Sequence, residues 1–265
     1  MSFSAPGPPP SPPQQPYATN PYPAQPQRPQ AHAGQPGAWQ PPVTVGVLRS
    51  PRGLSVALTV LLAVSAVLAL CSAGAYLYIR SLMADLLADP AQVTAEALDR
   101  ADILAATPDG FGVLAVLATG IVFIVWFHRV RQNGAIFRPD GFTMAPGWAI
   151  GGWFVPLAFC VIPYMVAKQT WYASTQFGPD GSFRKVSVAP VTAWWVLFVV
   201  SQGTDRIFTR LYESADGAEE LRGAATGCAV SGLISAVAAV LAIVFVRKLT
   251  ALQTTKAVQG PYAAL

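Results

Sequence analysis

Residues 126–174 read WFHRVRQNGAIFRPDGFTMAPGWAIGGWFVPLAFCVIPYMVAKQTWYAS, and this stretch decides the fold. An apolar run ends in a collar of Trp126, His128, Arg129 and Arg131. Tryptophan at a membrane interface and arginine just beyond it are the usual anchors of a span. A Pro139-Asp140-Gly141 turn follows, and Gly134 is placed to cap the preceding helix. The chain then returns to apolar sequence over 147–167, interrupted by Pro156 and Pro163. Each proline removes a helix hydrogen bond, so this segment is expected to be broken.

The rest of the chain repeats the apolar theme. Charged residues make up 11% of the 265 residues against 53% hydrophobic ones, with a mean hydropathy of +0.43. A soluble domain is nearer a quarter charged. Several runs of about 16 to 27 residues carry no charge, and about 20 apolar residues cross the hydrocarbon core. The fold class is therefore all-α, a polytopic membrane helix bundle. Transmembrane β-barrels show short alternating segments instead.

Apolar segments are expected at about 53–79, 110–127, 147–167, 190–201 with a polar helical extension to 212, and 223–246, within a bundle domain over 47–256. Thr107-Pro108-Asp109 reads as the cap that opens the second span, with a separate short amphipathic helix between Asp89-Pro90 and that point. Asp216-x-x-Glu219 resembles a capping box before the last span. Small residues at 72–75 and the GxxxG pairs Gly147/Gly151 and Gly223/Gly227 offer close helix approach or a homo-oligomer contact. Residues 1–46 hold fourteen of the 24 prolines among Gln, Ala, Ser and Gly. Such a composition predicts a disordered, polyproline-biased tail that a proline-reading cytoplasmic protein can bind. A short C-terminal tail is expected over 257–265.

Orientation follows from the Lys plus Arg count on each side. Five crossings with the N-terminus inside divide the seventeen basic residues as 9 against 8. Four crossings, with 147–167 entering and returning on one side, divide them as 12 against 5. The second arrangement is favoured, with the N-terminus in the cytoplasm of a multi-pass cell-membrane protein. Five crossings stay open, because 21 residues are enough to cross.

WFHRVRQN, GWAIGGWFVP and PYMVAKQTWYAS together resemble an uncharacterised membrane family, domain of unknown function 4328, common in actinobacteria. The resemblance rests on Trp126, Arg129 and Asn133, then Gly147, Trp148, Gly151, Gly152, Trp153, Phe154 and Pro156, then Pro163, Tyr164, Val166 and Trp171. The family often has Asn-Leu-Trp where this chain has Phe159-Cys160-Val161. The resemblance implies a multi-span membrane protein and no particular activity.

No chemistry is legible beyond this. HExxH and GxxxxGK[ST] are absent, and the apolar runs contain no ionisable residue. Cys71, Cys160 and Cys228 have no CxxC partner and read as small buried hydrophobes. No enzyme, cofactor or metal site is expected, and no nucleic-acid partner, since the basic residues flank apolar runs. One constellation invites a function. Arg129, Arg131, Arg138, Lys168, Arg184 and Lys185 bracket the broken segment as a candidate collar for anionic headgroups or a partner. The expected role is a structural or interaction protein of the cytoplasmic membrane. The alternative is a small transporter, channel or anionic-lipid-handling protein that uses the broken segment.

Overall fold

The computed structural model describes residues 47–179, 181, 182 and 184–259. The expected tail over 1–46 and the last six residues lie outside these. Six α-helices follow in order: α1 (Arg52–Ala88), α2 (Ala95–Phe137), α3 (Trp148–Gly151), α4 (Ile162–Ala173), α5 (Ala189–Glu213) and α6 (Ala218–Gln259). The described residues thus form an all-helical bundle. Of these helices, α1, α2 and α6 are long and apolar enough to cross a membrane.

Helix α6 is the centre. It packs lengthwise on α1 and α5, and α2 packs on α1. All three pairings are antiparallel. Arg52 Nε donates to Thr254 Oγ1, so α1 begins where α6 ends. Ser65 meets Thr119 at 3.4 Å and Ser72 donates to Asp109, so α1 and α2 run oppositely. Trp194 stacks on Phe245 at 4.5 Å, while the Phe208 ring lies against Gly227, which fixes α5 on α6. Lipid supplies no hydrophobic drive between apolar helices, so close packing must do so. Gly232 allows this on α1, where a Cβ would stand 2.9 Å from the Ala69 carbonyl oxygen and 3.0 Å from Ala73 Cβ.

The broken segment is confirmed. Gly147 to Ala167 holds the four-residue α3, a 3-10 turn at Ala158–Cys160 and the start of α4. No helix there is long enough to cross. Its turns bond to themselves, as in Phe159 N–H to Val155 O at 3.0 Å, which removes backbone groups that lipid cannot satisfy. Trp153 wedges among Phe123, Phe127, Trp195 and Phe198, with ring centroids 5.4 to 6.1 Å away, and so fills the gap between α2 and α5.

Four expectations need correction. The second span does not begin at a Pro108 cap. Thr94 is the cap, its hydroxyl accepting from Ala97 N–H, and α2 runs unbroken through Pro108. Ala101 and Ala105 are buried against Ile79, Leu82 and Met83, and this packing holds the helix together across the missing N–H. The Thr107 hydroxyl bonds Ile103 O inside the helix instead of capping a new one. Likewise Gly134 does not end the helix, which continues to Phe137; the glycine admits the Phe142 ring, which a Cβ would meet at 2.9 Å. Asp216 is not a helix cap. Its N–H donates to Glu220 at 3.2 Å, while Glu219 pairs with Arg222. Finally, Cys71 and Cys160 are exposed on the bundle's outer surface and only Cys228 is buried.

Element ends shift as well. Helix α1 passes Arg80 to Ala88, and α6 reaches Gln259, past the expected domain end at 256. At ~1.5 Å per residue α1, α2 and α6 are each roughly 55 to 65 Å long. That is about twice the ~30 Å hydrocarbon core. Of the four GxxxG glycines only one is used for packing: Gly227 lies against Phe208, whereas Gly147, Gly151 and Gly223 face open space.

Candidate functional site

The antiparallel arrangement sorts the charges. Eleven of the seventeen basic residues, in 49–52, 129–138, 168–185 and 247–256, gather at the end where α1 begins. Eleven of the thirteen acids, in 85–109 and 205–220, gather at the other end with five bases. Asp140 is the one described acid at the basic end.

A buried polar junction ties the basic end together. Asn133 on α2 accepts from Arg49 N–H at 3.1 Å and donates to Arg49 O at 2.9 Å and to Gln253 Oε1 at 3.1 Å. Gln253 on α6 donates in turn to Val130 O at 2.7 Å and to Ser174 Oγ at 3.1 Å. One amide pair thus joins the approach to α1, the ends of α2 and α6, and the end of α4. Trp126 closes the layer beneath, fully buried, with Nε1 donating to Thr250 Oγ1 at 3.3 Å. Trp171 stacks on Phe245 beside it.

The six collar residues do not form one ring. Arg138, Arg184 and Lys185 line a single cleft of about 620 Å³ with Asp140, Gln169, Tyr172 and Thr175. Arg138 Nε lies 3.8 Å from Asp140 Oδ1. Arg129 instead donates to Ser50 O at 3.3 Å. The Lys168 ammonium lies 5.9 Å from the Tyr164 ring. Arg131 departs furthest from a headgroup role. It is 3% exposed, its guanidinium lies 3.4 Å above the Phe142 ring centre, and it donates to Met144 O at 2.8 Å. It folds the 138–145 turn onto α2. Arg131 and Gly134 lie three apart on one face of α2, and the Phe142 ring sits on that face against both.

The motif residues divide between packing and open positions. Gly152 is tight, with a Cβ falling 2.7 Å from Ile162 Cγ2. Pro163 is buried, and Tyr164 O–H lies 3.0 Å from Thr192 Oγ1. Gly147, Trp148 and Pro156 are exposed. Two features were missed in sequence. The Lys256 ammonium, fully buried, lies 3.3 Å from the Phe177 ring centre and fastens the 174–188 connection to α6. Asp109 accepts from Ser72 Oγ at 2.7 Å and Tyr76 O–H at 2.9 Å, so an acid does touch the apolar run of α1. No signal in the sequence pairs either residue with its partner. Among the described residues no group of His, Cys, Asp and Glu is arranged to hold a metal.

The family model described as a domain of unknown function (DUF4328) matches residues 89–251, more than half of the chain. The chain belongs to that family. No curated protein and no solved structure matches it.

Proposed function

We propose that this member of the DUF4328 family is an integral protein of the cytoplasmic membrane that serves as an interaction platform, with its basic end in the cytoplasm. The observation that carries the reading is the partition of charge between the two ends of the bundle. Positive residues stay on the cytoplasmic side of inserted proteins. The basic end then gathers the start of α1, the end of α6, the 138–145 turn and the 174–188 connection on one face.

Four crossings fit this reading: α1, α2, α5 and α6, with 147–167 entering and returning. Support for α5 comes from its packing. It follows α6 from Phe245 to Gly227, about 27 Å of helix. That nearly spans the ~30 Å core. The proline-rich residues 1–46 are then a cytoplasmic docking sequence for a proline-reading partner. We assign the chain no catalysis.

Two measurements test this. Single cysteines at Ser187 and Asp216, in a chain whose three native cysteines are changed to serine, are exposed to a charged maleimide outside intact cells. Labelling at 216 and not at 187 is expected; labelling at 187 overturns the orientation. Affinity capture from native membranes is then run on the full chain and on residues 47–265. A partner set that is the same for both and matches an unrelated membrane protein overturns the platform role.

The lipid-handling alternative draws specific support from the cleft beside α4.

A further inference from the structure

Helix α4 joins two features that differ in polarity. At its C-terminal end is the cleft lined by Arg138, Arg184 and Lys185. At its N-terminal end the broken segment leaves Phe154, Leu157 and Val161 exposed, Leu157 at 89%. The outward residues of α4 connect them. Val161, Met165, Lys168 and Tyr172 follow at four- and three-residue intervals, which places them on one helix face. Val161, Met165 and Tyr172 are exposed along that face. From Val161 to Tyr172 the face is about 17 Å long. Half a hydrocarbon core is about 15 Å.

We propose that this cleft and face form a binding site for one anionic phospholipid of the leaflet at the basic end. The phosphate lies in the cleft, against Arg184 and Lys185 on the loop, Arg138 at the end of α2, and the Tyr172 hydroxyl. An acyl chain follows Met165 and Val161 toward Leu157. The depth order is right for a lipid. Gln169 bonds Thr143 and Ser174 bonds Gln253 at the basic end, while Trp153 and Phe159 pack on Phe198, further along α5 toward the acidic end. A free phosphate would use the cleft alone and would leave the apolar face without a role. Asp140 at the rim sets a limit on charge and favours a phosphodiester over a more highly charged headgroup. Leu157, φ 64° and ψ −44°, is the centre of a γ-turn closed by Ala158 N–H to Pro156 O at 2.8 Å, a conformation that a β-branched residue would resist more strongly.

The inference rests on the membrane-embedded reading above, but its test does not depend on orientation or on protein partners. The full chain, purified in mild detergent, is incubated with equal amounts of phosphatidylglycerol and phosphatidylcholine, and retained lipid is read by native mass spectrometry. Wild type is expected to retain one phosphatidylglycerol in preference to phosphatidylcholine. Each basic side chain near a membrane surface contributes on the order of 1 kcal/mol to anionic-lipid attraction, so the double variant Arg184→Gln, Lys185→Gln is expected to retain about ten- to thirty-fold less. Arg129→Gln, outside the cleft, is expected to behave as wild type. The double variant Leu157→Ser, Met165→Ser is expected to lose retention with the basic residues intact. Excess glycerol phosphate is expected not to displace the lipid. Equal retention of the two lipids, equal losses in Arg129→Gln and the cleft variant, or full displacement by glycerol phosphate each overturns the proposal. The competition arm uses wild-type protein only and decides the matter if the variants fail to fold.

Discussion

Replacing Asn133 by alanine removes three hydrogen bonds at once. Two go to the backbone of Arg49, whose side chain is exposed, so water can take them over at small cost. A net protein hydrogen bond is worth about 1 kcal/mol, and these two together count for roughly half to one. The third goes to Gln253, which is 2% exposed and cannot reach water. Its Oε1 is then left unsatisfied, at about 1 to 3 kcal/mol. The expected loss is about 1.5 to 4 kcal/mol, read as a lower midpoint in denaturant titration of the detergent-solubilised chain. Hydrogen exchange adds a local signature. The Arg49 amide should exchange faster in the variant, while amides in the middle of α6 should not. Gln253→Ala removes the donor to Ser174 Oγ, the second donor to Val130 O and the acceptor for Asn133 Nδ2, and is expected to cost about as much. Because the two residues bond each other, the double variant should cost less than the sum, with a coupling of at least about 0.5 kcal/mol. An Asn133→Ala variant within about 0.5 kcal/mol of wild type, the scale of an ordinary surface change, would refute the junction as an organising contact.

Further substitutions at three positions probe packing. Gly227→Ala drives a Cβ into the Phe208 ring, which must shift from its seat on α6, so lowered thermal stability in detergent is expected; Gly223→Ala meets nothing within 4 Å and should be neutral or raise stability by up to about 1 kcal/mol through helix propensity. Equal effects at the two glycines would contradict the packing of α5 on α6. Trp153→Ala empties the aromatic wedge between α2 and α5; the ring is partly exposed, so the loss should fall below the roughly 3 to 5 kcal/mol of a fully buried aromatic. Limited proteolysis near 155–161 should speed up in that variant, and Trp153→Phe should recover most of the loss.

The parts of the fold that depend on near neighbours were legible in sequence. Charge-free runs gave the long helices, and Pro156, Pro163 and the glycines around them gave the broken segment. The misreadings came where distant packing overruled a local signal. Pro108 looks like a boundary because it cannot donate, yet buried Ala101 and Ala105 hold α2 through it. Gly134 looks like a stop, yet its missing side chain makes room for Phe142. The collar was half legible for a related reason. Basic residues bracketing the broken segment suggest a shared site, and Arg138, Arg184 and Lys185 do line one cleft. Nothing in the sequence around Arg131 reveals that Phe142, eleven positions later, folds back over its guanidinium.

The uneven distribution of charge has a consequence for how the protein is made. In the proposed orientation, the segments that must be carried across hold eleven acids against five bases. An interior-negative membrane potential drives negative charge outward, at about 2.3 kcal/mol per elementary charge per 100 mV. Export of both acidic segments therefore runs downhill in an energised cell, and dissipating the potential with an ionophore during synthesis should slow their appearance outside.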